Sequence, residues 1–139
     1  MAITATPIFP QSIVNAATTI VNAGGTTAVS ILASQTNGCG VNQINVTTTD
    51  TTANTVQLFA NISSTSYLLT EISIPITSGD LTTAPTIQAL SNAQFGSLPL
   101  DANGNPVLYL ASGTALYAGV TTAVTSGKTL TFFVSAGAF

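Results

Sequence analysis

This 139-residue chain carries few side chains that could do chemistry. It has a single lysine, Lys128, and neither histidine nor arginine. General acid–base catalysis near neutral pH relies on histidine, or on carboxylates whose pKa values are driven apart by their surroundings. The four acids are Asp50, Glu71, Asp80 and Asp101. We interpret them as solvated turn and edge residues, and we predict that the chain is not an enzyme.

The sequence also offers few side chains for nucleophilic catalysis or for the binding of soft metals. Cys39 and the serines have Lys128 as their only candidate base, and no G-x-S-x-G sequence is present. Zinc and other transition metals need several histidine and cysteine ligands, which one cysteine does not provide. Since a lone cysteine forms no internal disulfide, we interpret Cys39 as a small residue in a glycine-flanked turn.

Calcium is the one metal for which the sequence offers a partial pattern. Residues 101–105, Asp-Ala-Asn-Gly-Asn, place oxygen-bearing side chains at alternate positions, as the first half of an EF-hand loop does. Pro106 stands where that loop requires glycine, and no glutamate follows six residues later. A tight Asn-Gly turn explains the same residues, so we predict no metal and no other cofactor.

The composition indicates a folded protein with a neutral exterior. Charged residues make up 4% of the chain, against about 25% in typical proteins, while hydrophobic residues make up 45%. One lysine does not supply the electrostatic attraction on which nucleic-acid binding depends. So few surface charges give little colloidal protection, and we therefore expect partner proteins to cover much of the exterior.

The sequence predicts neither a membrane span nor an exported protein. No stretch approaches the roughly 20 apolar residues that a transmembrane helix needs. The first residues, Met-Ala-Ile-Thr-Ala-Thr-Pro, have no basic region followed by an apolar one. We expect a protein made in the cytoplasm without a leader.

Alternation of apolar and polar residues predicts an all-β fold. In residues 54–62 and 67–76, every second side chain forms one apolar face. The predicted faces are Val56, Leu58, Ala60 and Ile62 in the first segment, and Leu68, Thr70, Ile72, Ile74 and Ile76 in the second. Further strands are predicted at 41–48, 115–122 and 128–135, at the shorter runs 26–33 and 107–111, and more weakly at 11–20. Turn sequences rich in Gly, Asn and Ser separate these segments, which is typical of a sandwich or barrel of about eight strands.

One long connection interrupts this pattern. Residues 77–106 contain several prolines and no clear strand, and residues 86–93 are the only segment with helical spacing. The connection could cross between sheets or serve as an interaction loop. We predict an N-terminal arm or edge strand over residues 1–23 and one β-sandwich domain over 24–139.

The order of several segments along the chain carries a likeness to a known protein family. Four segments carry the likeness: Asn-Thr-Val-Gln-Leu-Phe (54–59), Tyr-Leu-Leu (67–69), Leu-Tyr-Leu-Ala-Ser-Gly-Thr-Ala-Leu-Tyr-Ala-Gly-Val-Thr-Thr-Ala (108–123) and the terminal Ser-Ala-Gly-Ala-Phe (135–139). Together they resemble small tailed-bacteriophage proteins that decorate and cement the capsid. The likeness covers roughly residues 26–139.

The resemblance implies a fold, a location and partners. It implies a jelly-roll-like antiparallel β-sandwich, often trimeric, that sits on the capsid exterior and stabilises contacts between capsomers. The partners would be the major capsid protein and further copies of this chain, with no nucleic acid and no membrane. The candidate interface residues are Ile8, Phe9, Tyr109, Tyr117 and Phe139, although core packing is the commoner role of such side chains.

A different surface role remains open at this level. A tail, fibre or adhesin domain that binds host glycans would also be a neutral β-sandwich. Glycan sites commonly present exposed Trp or Tyr beside Asp and Asn, and this chain has no Trp. The sequence does not separate a head location from a tail location.

Overall fold

The fold is a sandwich of two antiparallel sheets, as seen in a computed structural model that describes residues 10–139. The strands are β1 (Ser12–Val21), β2 (Val29–Leu32), β3 (Cys39–Thr48), β4 (Asn54–Ile62), β5 (Thr65–Ile74), β6 (Ile87–Gln88), β7 (Leu108–Leu110), β8 (Thr114–Val120) and β9 (Thr129–Ala138). A 3-10 turn, Asn22–Gly24, and one helical turn, α1 (Asn92–Phe95), complete the regular elements of the described residues. No helix in residues 10–139 has the length and hydropathy needed to cross a bilayer.

The strand order is that of a jelly roll. One sheet runs β1-β9-β3-β6, with β7 also paired to β3, and the other runs β2-β8-β4-β5. The pairings are nested along the chain, because β1 pairs with β9, β2 with β8, β3 with β6 and β7, and β4 with β5. A long antiparallel ribbon folded over on itself has this pairing, and its two sheets enclose the core. The predicted all-β, jelly-roll-like sandwich is confirmed.

The core consists of the inward faces of both sheets. Alternate residues of β4 and β9 are buried, as the period-2 pattern predicts. The largest fully buried side chains are Phe132, Ile31, Leu32, Ile44, Leu58, Ile72, Ile74, Leu116, Leu130, Val41, Val46 and Val56. At about 25 cal/mol per Å² of apolar area removed from water, this burial is the main stabilising contribution to the fold.

The N-terminal part of the described chain belongs to the sandwich. β1 pairs with β9 over ten residues, from Ser12 opposite Ala138 to Val21 opposite Thr129, without a register shift. It is the edge strand of its sheet. The remainder of the predicted arm, residues 1–9, lies outside the described residues.

The long connection contains one interrupted strand of the jelly roll. Ile87 and Gln88 pair with β3, and the Ala89 N–H continues the ladder by donating to the Ile44 carbonyl at 2.8 Å. Leu108 resumes the ladder on the same edge of β3, opposite Val41. The expectation of a helical turn over 86–93 is therefore wrong for its first half, because those residues complete the sheet.

Residues 90–107 are an excursion from this interrupted strand. Leu90 is buried in the core, and Phe95 and Leu98 pack against it. The Thr70 hydroxyl of β5 donates to the Gln94 carbonyl, so the excursion reaches the edge of the opposite sheet. It covers the side of the sandwich beside part of β5 and carries the turn that contains Asp101.

Candidate functional site

All four carboxylates accept hydrogen bonds from other groups of the chain. Glu71 accepts from the Gln57 side-chain amide across the β4–β5 pair at 2.6 Å, and Asp80 accepts from the Thr82 backbone and hydroxyl. Within residues 10–139, no three His, Cys, Asp or Glu side chains lie close enough together to hold a metal ion. The described residues thus provide no cluster of three or more such ligands.

Asp50 differs from the solvated turn residue that the sequence predicts. Only 1% of its surface is exposed. Its Oδ1 accepts the Thr52 N–H at 2.9 Å, and its Oδ2 accepts the Thr125 N–H at 2.9 Å and the Asn54 amide at 3.3 Å. The Asp50 carbonyl accepts the Thr77 N–H at 2.9 Å, so this one residue connects three loops. The interpretation as a solvated residue is wrong, because these contacts bury the carboxylate.

The hydrogen bonds keep this buried carboxylate ionised. Burial alone would raise the pKa of Asp50, since desolvation disfavours the charged form. The donors from Thr125, Thr52 and Asn54 outweigh burial and lower the pKa from 3.8 to about 2. Asp50 acts as a structural anchor at one end of the sandwich.

The Asp101 carboxylate accepts hydrogen bonds from its own turn. Asp101 Oδ1 accepts the N–H groups of Asn103 and Asn105, both at 2.8 Å, and Oδ2 accepts the Asn105 amide at 3.3 Å. The hydrogen bond from the Asn105 backbone is the main reason that the pKa of Asp101 lies below its ordinary value. Gly104 has a φ of +83°, which the tight turn requires. These contacts match the predicted Asn-Gly turn.

Cys39 is a core residue and not part of a turn. It is the first residue of β3, is fully buried, and pairs with Leu110 and Ala138. The turn expected here ends one residue earlier, at Gly38. Burial raises the pKa of the Cys39 thiol, which lowers the fraction of reactive thiolate.

The Cys39 thiol is therefore expected to be inert while the protein is folded. We expect it to react with Ellman's reagent at least about 10-fold more slowly in native protein than in guanidinium, because the folded chain holds it uncharged and inaccessible. Absorbance at 412 nm measures both rates at the same pH. Equal rates in the two conditions would contradict the burial of Cys39.

The candidate interface residues lie on two different faces. Tyr109 and Phe139 are brought together, with ring centroids 6.4 Å apart and ring planes inclined by 26°. Tyr117 lies on the other sheet, where it pairs with Phe59 and Ser30 and is half-buried. Ile8 and Phe9 lie outside the described residues.

A second set of exposed apolar side chains, which we call the hairpin patch, lies at the turn end of β4 and β5 and consists of Ile62, Tyr67, Leu68 and Leu69. Tyr67 pairs with Ala60 on the core-facing side and Leu68 pairs with Phe59 on the outer side, so the patch includes both sides of the hairpin. All of these side chains are exposed, and Leu68 retains 52% of its surface. Ser63 and Ser64 form the two-residue turn between β4 and β5 with positive φ angles of 50° and 67°, as a type I′ hairpin requires. Sequence reasoning missed this patch because residues 67–76 suggested one continuous buried face.

The hairpin patch lies on a sheet edge that is only partly covered. Among residues 10–139, β5 is the last strand of its sheet, and the excursion 90–107 contacts it at Thr70. Residues 51–70 contain no charged side chain. Proteins usually protect such edges with lysine, proline or a covering segment, and an apolar edge that is left partly uncovered is a site for pairing with another chain.

The sequence was compared with protein-family models and with curated proteins, and nothing matches it in either comparison.

Proposed function

We propose that this protein is a structural subunit that docks on a larger assembly, specifically the exterior of a tailed-phage capsid. There it would bind the major capsid protein and stabilise contacts between capsomers. The observation that carries the docking role is the hairpin patch, an exposed apolar edge on a protein with almost no surface charge. The phage capsid as the assembly rests on the sequence resemblance.

The surface chemistry suits permanent contact more than transient encounter. Apart from the hairpin patch, the described surface exposes further large apolar side chains and very few charges. These include Ile13, Val21, Ile76 and Phe133. An interface that buries apolar area and leaves no unpaired charge is stable and contains little water. Binding of many such subunits stabilises a shell by mass action, because they bind the intact shell and not the dispersed one.

The same surfaces could serve contacts between copies of the chain. We propose a homotrimer on the capsid, as the resemblance implies, with synthesis in the host cytoplasm before addition to the virion. Native mass spectrometry of the purified chain measures the oligomeric state directly. A monomer at micromolar concentration would contradict the trimer but not the docking role.

Binding to capsid shells tests the docking role. Shells purified from virions that lack the protein are mixed with the purified chain and sedimented. We expect saturation at a fixed ratio of chain to capsid protein and a higher disruption temperature of the shells, measured by light scattering. If the wild-type chain stays in the supernatant at all concentrations, the capsid role is wrong.

The substitution Leu68→Lys tests the hairpin patch. A lysine buried without a partner in an apolar interface is costly, so we expect at least a 10-fold loss of affinity for shells, or about 1.4 kcal/mol. The matched control is Leu81→Lys, because Leu81 is fully exposed on the loop after β5. This control should bind like the wild type. Equal binding by both variants would mean that another surface makes the contact.

A further inference from the structure

A groove lies on the outer face of the β1-β9-β3 sheet, and Gly40 is the glycine that lines it among the described residues. Gly40 of β3 lies opposite Gly137 of β9 on one side and opposite Tyr109 of β7 on the other. Gly40 has no side chain, so backbone forms this part of the groove floor, whereas Pro10 covers Gly137. Glycine inside a strand commonly marks a place where another group approaches the sheet closely.

Pro10 and Tyr109 form walls of the groove and occupy the space that side chains at the two glycines would take. A Cβ atom on Gly137 would lie 2.7 Å from Pro10 Cβ, and one on Gly40 would lie 3.3 Å from Tyr109 Cε1. Pro10 and the Tyr109 ring therefore rest directly on the sheet. Phe139 stacks on Tyr109 and extends the aromatic surface. Tyr109 nevertheless keeps 55% of its surface exposed.

The excursion 90–107 supplies the remaining wall. Leu100, Asp101 and Ala102 line the groove together with Val107, and the volume of this open groove is about 450 Å³. That volume lies within the range of small-molecule sites. The Asp101 carboxylate is held in place by the N–H groups of Asn103 and Asn105. Asp101 is the only charged residue that lines the groove among the described residues.

We infer that this groove binds a neutral sugar ring, with the ring lying against Tyr109 and Phe139 and a hydroxyl donating to Asp101. A pyranose combines an apolar C–H face with hydroxyl donors, and the groove combines an aromatic surface with one fixed carboxylate acceptor. An anionic ligand would meet the Asp101 charge with no cation to balance it. A wholly apolar ligand would remove water from that charge without supplying a further donor.

This inference is independent of the capsid role, since the groove and the hairpin patch lie on different sheets. The probes are the methyl α-pyranosides of glucose, galactose and mannose, and N-acetylglucosamine, each titrated into ¹⁵N-labelled protein to 50 mM. We expect at least one of them to shift the amide resonances of Gly40, Asp101 and Phe139 with a millimolar dissociation constant. Retention of the protein on agarose beads that carry the same sugar tests whether the groove also accepts a sugar that is linked to a surface.

Three variants test the assignment of the site. Tyr109→Ala should weaken binding at least 10-fold, whereas Tyr109→Phe, which keeps the ring, should bind within about 3-fold of the wild type. The matched control is Phe133→Ala, because Phe133 is 42% exposed on the outer face of the same sheet and does not line the groove. This control should leave binding unchanged. The inference is overturned if no probe shifts these resonances, or if Tyr109→Ala binds as well as Phe133→Ala.

Discussion

Replacing Asp50 with alanine is expected to lower the free energy of unfolding by about 2 to 4 kcal/mol. The variant leaves the Thr52 and Thr125 N–H groups and the Asn54 amide without their acceptor. Because Thr125 lies in the loop between β8 and β9, the change also releases that loop from the one after β3. Guanidinium denaturation at pH 7, followed by circular dichroism, measures the loss.

The same contacts predict a loss of stability in acid. The pKa of Asp50 is about 2 in the folded chain, below the value of about 3.9 expected for an unfolded chain. A lowered folded pKa stabilises the protein above the unfolded pKa, and this contribution disappears as the pH falls through the folded pKa. We expect a loss of about 2 kcal/mol between roughly pH 4 and pH 2. The Asp50→Ala variant should lack this part of the pH dependence.

Asp80→Ala is the control for both measurements. Asp80 is an exposed acid whose carboxylate accepts only from Thr82, within its own turn. Its loss should change stability much less than the loss of Asp50. If both variants lose the same amount, or if Asp50→Ala keeps the full acid dependence, Asp50 does not connect the loops as described.

Sequence reasoning could not identify Asp50 because its burial depends on a distant partner. The local sequence, Thr-Thr-Asp-Thr-Thr, has the composition of an exposed turn. The decisive donor, the Thr125 N–H, is 75 residues away along the chain. Local composition reports which residues form turns, but it does not report which turns meet at the end of a sandwich.

The strands were predictable wherever one face of the sheet is buried throughout. Alternation in β4 and β9 identifies the buried side chains because both strands lie inside their sheets and keep a regular pleat. β5 departs from its pattern. Leu58 pairs with Thr70, but Phe59 pairs with Leu68, so the register shifts at Leu69. This bulge turns Leu68 to the outer face, whereas the sequence pattern had placed it on the buried face.

The groove shows a similar limit of sequence analysis. The aromatic residues Tyr109 and Phe139 were recognisable as surface candidates, but their meeting depends on the pairing of β7 with β3 and on the end of β9. Gly40 follows Gly38 and Cys39 so closely that the segment suggested only a turn. The structure divides it, since Gly38 ends the turn while Gly40 is a strand residue that makes room for Tyr109.

Gly38 itself is expected to be among the least replaceable residues of the chain. It has a φ of +85°, and a Cβ atom there would lie 2.6 Å from the Leu110 carbonyl oxygen. That oxygen belongs to the backbone of β7, which pairs with β3 at the adjacent Cys39. We expect Gly38→Ala to lower the free energy of unfolding by about 2 to 4 kcal/mol, from backbone strain and from the displacement of β7.

Gly127→Ala separates the two causes. Gly127 has a similar φ of +76°, but a Cβ atom there would meet nothing within 4 Å. Gly127→Ala should therefore lower the free energy of unfolding only by the backbone-strain contribution of about 1 kcal/mol. Guanidinium denaturation of the two variants gives the difference, which measures how firmly the β3–β7 pairing is held. Because β7 carries Tyr109, a large difference means that the β3–β7 pairing holds the groove walls in place. Equal losses would mean that β7 moves aside without cost and that this pairing does not fix the groove walls.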